Sequence, residues 1–436
     1  MSNVDWVART QAAVWHPCTQ MKQQLITPPL VIARGQGVWL YDDAGRAYID
    51  GISSWWVNLF GHSNARINAA IIDQLNLIEH VMLAGCTHQP VVALSEQLAQ
   101  LTGLGHAFYG SDGASATEIA LKMSFHYWRN VGLADKTEFI SLKNSYHGET
   151  LGALSVTDVA IFKDTYAPLL RHSVQMMSPD GRLAEVGETA ADYALRAAAE
   201  VEQYFSQHHH NIAAMIVEPL VQGAAGMAMY DAVYLRRVRE LCDLYQVHLI
   251  ADEIAVGFGR TGTMFAYEQA QIKPDMVCLS KGITGGYLPL SAVLTTDAIY
   301  QAFYADSTAR GFLHSHSYTG NPLACRAALA SLAIFADDDV LVQNARKGDY
   351  LDAAAIGLRQ HSRVQHWRRT GMIWAFDVVN APADFARQFY LAALTQGVLL
   401  RPIGNTVYFM PPYVISEVEI TQLVAGALFA LNQLLS

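Results

Sequence analysis

The run Val247-His248-Leu249-Ile250-Ala251 delivers Asp252 and Glu253 at its carboxyl end, and twenty-nine residues beyond Asp252, after Met276 to Leu279, the chain delivers Ser280, Lys281 and Gly282 in the same way. A lysine that leaves an apolar strand and is followed by Gly282, Gly285 and Gly286 is partly desolvated. Desolvation lowers its pKa and frees the amine as a nucleophile toward a carbonyl, the requirement for a Schiff base. A carboxylate on the neighbouring strand end can keep a pyridine nitrogen protonated as an electron sink. Pyridoxal phosphate needs both groups. Taken singly, Asp252 reads as a helix cap and Lys281 as a surface lysine; the pairing is what points to chemistry.

A phosphate needs donors. Gly110-Ser111-Asp112-Gly113-Ala114-Ser115 precedes a helical pattern from about Ala116 to Trp128, where small residues let the backbone approach and the free amides of a helix start favour an anion. Ser315-His316-Ser317-Tyr318-Thr319-Gly320-Asn321-Pro322 offers hydroxyls, or an ordinary turn ended by proline. Tyr146-His147-Gly148-Glu149-Thr150 follows the strand Glu138 to Leu142, so an aromatic ring there can stack on a pyridine. Gly257-Phe258-Gly259-Arg260-Thr261-Gly262 has the spacing of a dinucleotide loop, but four residues separate it from the strand end and no acidic strand end follows at the right distance. It reads instead as a flexible frame for Arg260. His208-His209-His210 lies in a polar segment without an accompanying carboxylate spacing, which favours a solvated loop over a metal tract.

These groups must be positioned by elements. Short apolar or β-branched runs recur at Glu138 to Leu142, Ala213 to Val217, Val247 to Ala251, Met276 to Leu279 and Ser291 to Thr295. Between them lie helical patterns such as Leu235, Val238, Cys242 and Tyr245. The alternation predicts a mainly parallel sheet covered on both faces, with ligands beyond the carboxyl ends of its strands. Residues 31 to 51 read as a β-meander with turns at Gly35, Gly37, Asp42 and Gly45. From about residue 330, long helices alternate with strands such as Ile373 to Val378 and Thr406 to Met410, so the two ends together predict a small second domain.

Composition narrows the field. The chain has 436 residues, 52% hydrophobic and 16% charged, against roughly 25% charged in an average soluble protein. Its 39 acidic and 29 basic residues give −10 with no basic cluster, which speaks against nucleic acid. Apolar runs near Ile212 to Met229 and Ile420 to Leu435 are interrupted by Glu218 with Pro219 and by Gln422 with Asn432, so no membrane span is expected. Residues 1 to 11 lack a secretory pattern, and five cysteines without a CxxC pair fit reduced thiols in a cytoplasm.

Together these residues resemble the class III pyridoxal-phosphate aminotransferases, whose signature is matched from Leu249 to Gly286, and the resemblance covers essentially the whole chain. It implies the type I aminotransferase fold, an α/β architecture with a mostly parallel central sheet, helices on both faces and a small α+β domain. The expected division is residues 1–59 and 331–436 for the small domain and 60–330 for the large one. The resemblance also implies a homodimer with shared active sites. It makes Lys281 the Schiff-base lysine, pairs Asp252 with the pyridinium nitrogen, stacks Tyr146 on the ring, and places Gly113 and Ala114 on the phosphate. Ser317 would reach the phosphate of the neighbouring subunit. Glu218 is counted with the cofactor-binding residues, and no metal is expected. Within the family, Trp15-His16-Pro17-Cys18-Thr19-Gln20, Ser53-Ser54-Trp55-Trp56 and the stretch from Arg401 to Tyr413 resemble members serving biotin biosynthesis. There a ring-lined channel at Trp55 and Trp56 suits a long aliphatic keto acid and Arg401 its distant carboxylate. Cys18 and Glu149 stand where some members carry tyrosine and aspartate against substrate. The expected reaction is amination of 8-amino-7-oxononanoate to 7,8-diaminononanoate with S-adenosylmethionine as donor. The alternatives are lysine as donor, or a broader ω-amino acid or diamine:pyruvate aminotransferase.

Overall fold

Seven strands of the computed structural model, which describes residues 5–435, form one sheet: β1 (His106–Gly110), β2 (Glu138–Leu142), β3 (Val174–Met176), β4 (Ile212–Val217), β5 (His248–Asp252), β6 (Met276–Leu279) and β7 (Ser291–Thr295). Met1–Val4, part of the N-terminal stretch without a secretory pattern, and Ser436 lie outside the described residues. The strand order is β1-β7-β6-β5-β4-β2-β3. Among these strands only β7 runs antiparallel to its neighbours, β6 and β1, so the sheet is mixed but mostly parallel. The predicted strands are all present, within a residue at each end. β1 and β3 are additions: His106 and Gln175 interrupt their apolar character, and β3 has three residues.

The period of two in each strand assigns its faces. Leu249 and Ala251 of β5, with Val277 and Leu279 of β6, pack with Val201, Phe205 and Val238 of the helices Ala190–His208 and Val233–Tyr245. Ile250, Met276 and Cys278 pack on the opposite side with Ala116, Ile119 and Ala120 of the helix Gly113–Asn130. Both faces are thereby covered, which leaves the strand ends for chemistry.

The chain's two ends meet in smaller sheets. Ile32–Gln36, Trp39–Asp42 and Ala47–Asp50 form the predicted antiparallel meander, except that Gly35 is paired within the first strand instead of marking a turn, and Val398–Leu399 adds to it in parallel with Ala47–Asp50. Val364–Thr370, Ile373–Val378 and Thr406–Phe409 form a separate antiparallel sheet. The helix Glu417–Leu435 is long and apolar enough by length and composition to cross a bilayer, but here it buries Ile420, Leu423, Ala427, Ala430 and Leu431 in the core.

Two expectations are corrected. The helix expected from about Ala116 begins at Gly113, because the Asp112 side chain caps it by accepting from the Ser115 amide at 2.8 Å. Arg260 is not held in a flexible frame. It is 1% exposed, and its guanidinium donates to the carbonyls of Pro411 (2.8 Å), Asn58 (3.0 Å) and Trp56 (3.4 Å) with Tyr413 as a ring partner at 4.9 Å. This is a buried cation whose two Nη atoms are met by backbone carbonyls while Nε is left without a partner, and burial lowers its pKa.

Candidate active site

Five segments leave the carboxyl edge of the sheet and converge on a cavity of about 660 Å³. β1 leads to Ser111–Ala114, β2 to Tyr146–Glu149, β4 to Glu218, β5 ends in Asp252, and β6 leads through Ser280 to Lys281. The volume lies within the range of small-molecule sites.

Asp252 is 3% exposed and both its oxygens are engaged. Oδ1 accepts from the Ile254 amide at 3.1 Å, and Oδ2 lies 2.6 Å from Nδ1 of His147. His147 is fixed in turn by its backbone, whose amide donates to Thr157 Oγ1 (2.9 Å) and whose carbonyl accepts from Thr117 Oγ1 (2.8 Å). Its Nε2 is buried without a partner, so the proton belongs on Nδ1, facing the carboxylate. Lys281 has φ +34° and opens the short 3₁₀ turn Lys281–Thr284. Its Nζ sits 5.0 Å from the ring centre of Trp56. Burial pushes the lysine pKa down, opposed by the negative charges of Asp252 and Glu218.

Glu218 is 5% exposed; Oε2 accepts from the Tyr146 amide and Oε1 from the Gly223 amide, each at 3.0 Å. Burial raises its pKa to about 7, the largest cause, while His147 and the two amides pull it down. The Tyr146 hydroxyl donates to Glu149 Oε1 at 2.8 Å, and its ring meets Phe162 edge-on. The charge of Glu149 in turn raises the Cys18 thiol pKa after burial, with Arg401 opposing it, so Cys18 belongs to the same electrostatic neighbourhood.

Trp55 and Trp56 lie in a left-handed turn. Ser53, Ser54, Trp55 and Trp56 have φ of 52°, 47°, 72° and 74°, a conformation that costs roughly 1–2 kcal/mol per residue. Asp50 holds it by accepting from the Ser54 amide (2.9 Å) and hydroxyl (2.7 Å), Ser53 Oγ donates to the Met410 carbonyl (2.7 Å), and Arg260 donates to the Trp56 carbonyl. The turn sends adjacent rings to different tasks. Trp56 is buried and donates from Nε1 to Tyr408 Oη at 3.1 Å, whereas Trp55, 43% exposed, lies under the Arg401 guanidinium at 5.1 Å.

Of the residues read from the sequence, Trp56, Gly113, Ala114, Tyr146, Glu149, Glu218, Asp252 and Lys281 line the cavity. Trp55, Arg401 and Cys18 lie outside that lining, and Ser317 is exposed in the turn before the helix Pro322–Asp337. Sequence reasoning placed Ser111, Thr150 and Gly286 in motifs around the site but missed Val57, Ile254, Ala255 and the stretch Tyr287–Leu290, all of which line it. Residues 287 to 290 follow the Lys281 turn closely, a signal that adjacency alone could have supplied.

The donor set fits pyridoxal phosphate. Asp112 takes the Ser115 amide with its side chain and the Ala116 amide with its carbonyl; Gly113 and Ala114, the other two first-turn residues, line the cavity. The cradle is tight behind them. A Cβ at Gly113 would lie 2.9 Å from Ile254 Cγ2, and one at Gly148 (φ +120°) would lie 2.6 Å from Ala114 Cβ. A buried carboxylate held by two donors and a desolvated lysine complete the set.

A mostly parallel sheet with a lysine and a carboxylate on adjacent strand ends, and the helix start after β1 lining the same cavity, fits an amine-transferring enzyme. The chain belongs to the class-III aminotransferases, a family that matches residues 20–428. It is 45% identical over 97% of its length to the adenosylmethionine-8-amino-7-oxononanoate aminotransferase of Helicobacter pylori, covering 96% of that protein. The crystal structure of the protein of that name from Methanocaldococcus jannaschii superposes with a TM-score of 0.93 at 35% identity, over 98% of this chain and 99% of that one. An amine transaminase from an uncultivated Pseudomonas species, solved in its PLP-bound form, gives 0.92 at 31% identity over 97% and 99%.

Proposed function

We propose that this aminotransferase converts 8-amino-7-oxononanoate to 7,8-diaminononanoate in biotin biosynthesis, with S-adenosylmethionine as amino donor and pyridoxal phosphate as cofactor. The observation that carries the reading is the near full-length similarity to relatives of that name, joined to a cavity that holds Lys281, Asp252 and a helix start. Pyridoxal phosphate, when bound, supplies an aldehyde for amine exchange and a ring that accepts the electron pair released at the substrate carbon.

The chain's residues do the rest. Asp252, oriented by the Ile254 amide and His147 Nδ1–H, would present its carboxylate to the pyridine nitrogen. The amides of Gly113 and Ala114 would hold the phosphate, and the Tyr146 ring would stack on the pyridine. Lys281, desolvated and so more readily neutral, would attach the cofactor aldehyde and, once displaced, would act as general base that carries a proton between the amine-bearing carbon of the substrate and the cofactor. Glu218 sits beside both with a pKa of about 7, able to hold or release a proton near neutrality. At the mouth, Arg401 on Trp55 fits a distant carboxylate, and Glu149 with Cys18 fits the amine-bearing side.

We place the enzyme as a cytoplasmic homodimer. Its five free cysteines support that compartment, and the exposed apolar side chains Ile72, Leu75, Leu77 and Met82, close together in sequence, support a second copy packing there. Ser317 would act across that interface. A broader amine transaminase is favoured by one observation, the TM-score of 0.92 with a protein of that name. Offering S-adenosylmethionine, lysine and alanine as donors with 8-amino-7-oxononanoate separates the readings: transfer from S-adenosylmethionine is expected. Transfer from alanine alone sinks the proposed donor and favours the broader enzyme.

A further inference from the structure

The turn Gly223–Met227 carries two supports of the cavity. The Gly223 amide donates to Glu218 Oε1, and a Cβ at Gly223 would lie only 3.0 Å from the Trp56 ring. The far end of this turn is gripped from outside the cavity by two arginines. Arg182 Nη2 donates to the Ala225 carbonyl at 3.1 Å, and Arg368 donates to Gly226 (Nη2, 2.6 Å) and Met227 (Nε, 2.9 Å), so three successive carbonyls are held.

Both guanidiniums converge on one carboxylate. Asp377, in the strand Ile373–Val378, accepts from Arg368 Nη2 (3.0 Å), Arg182 Nη1 (3.1 Å) and Thr406 Oγ1 (2.8 Å). Asp180 engages Arg182 from the other side at 2.7 Å. The side chains of Arg182, Arg368 and Asp377 are 21%, 10% and 14% exposed, and two positive charges meet two negative ones. Two close cations beside a turn of carbonyls need the shared anion to stay in place. Gly226 (φ +74°) leaves no room for slack, since a Cβ there would lie 2.7 Å from Thr406 Oγ1.

We infer that Asp377, through Arg182 and Arg368, is a positioning residue for the enzyme's own reaction: it couples the C-terminal sheet to the turn that holds Glu218 and Trp56 against the substrate. The inference rests on the cavity being the site of amine transfer. Neither arginine belongs to the cavity lining, so the effect reaches substrate only through the turn.

The test compares the cofactor-loaded parent with Asp377→Asn and the milder Thr406→Val, which removes a single hydrogen bond to Asp377. Hydrogen exchange of the segment 219–229 should quicken about tenfold in Asp377→Asn and by a smaller factor in Thr406→Val. The KM for the keto acceptor should rise about tenfold with kcat nearly unchanged. The Asp377→Asn effect should also be non-additive with Trp56→Phe. Unchanged exchange at 219–229, or exchange confined to 373–378, overturns the inference, as does an additive double variant. If Asp377→Asn does not fold, the Thr406→Val exchange decides the matter alone. Exchange is read without substrate, so failure of the parent to aminate 8-amino-7-oxononanoate would refute the substrate assignment and leave the coupling of Asp377 to the turn to be decided by the exchange rates.

Discussion

Glu253 follows Asp252 in the chain yet lies outside the cavity lining. It is fully buried, and its two oxygens accept from the amides of Ala266 (3.0 Å) and Tyr267 (2.9 Å). Burial raises its pKa to about 8, those amides lowering it only in part. The folded chain therefore keeps a proton there that the unfolded chain releases at an ordinary carboxyl pKa of about 4.3, so its contribution to stability is full at low pH and is lost as pH rises toward 8. In Glu253→Gln that slope disappears. Melting temperature measured from pH 5.5 to 8.5 should show the variant gaining on the parent as pH rises; a constant difference would refute the assignment. The sequence distinguishes these neighbours only as two acids at a strand end. Which one faces the cavity was legible through the pairing of Asp252 with Lys281, whereas the anchoring of Glu253 depends on amides thirteen and fourteen residues away.

At the scale of elements, the left-handed turn Ser53–Trp56 carries the largest local cost in the site. Asp50 offsets it with two hydrogen bonds to Ser54 and one contact to His62 Nε2 at 3.0 Å. Replacing Asp50 by Ala should cost about 2–3 kcal/mol in unfolding free energy and raise KM as Trp55 and Trp56 lose their fixed directions. Denaturant titration and steady-state kinetics check both, and a stable variant with unchanged KM would show that the turn holds itself. Strand and helix identity was readable here from period and apolar runs, as at β2, β6 and β7. The turn was not, because Ser-Ser-Trp-Trp carries no glycine to announce positive φ; its conformation is held by Asp50 four residues before Ser54 and by Arg260 and Met410, which reach it only in three dimensions. The burial of Arg260 was hidden for the same reason, since its partners are carbonyls at positions 56, 58 and 411.

At the scale of the whole molecule, the low charge content has a double outlet. Much of the apolar sequence fills the core on both sides of the central sheet, and some remains exposed at Ile72, Leu75, Leu77 and Met82. Leu77, 74% exposed, touches no part of the cavity, so Leu77→Arg should leave the fold intact while yielding a monomer by light scattering with much reduced turnover. A fully active dimer would place the interface elsewhere. The pairing of Val398–Leu399 with Ala47–Asp50 bears on how the chain is made. A ribosome adding about 5–20 residues per second exposes the meander and then leaves its edge without a neighbour for on the order of half a minute. During that interval the growing chain carries an open strand edge beside apolar residues, so synthesis, more than the finished fold, is the stage at which that edge is open to pairing with another chain.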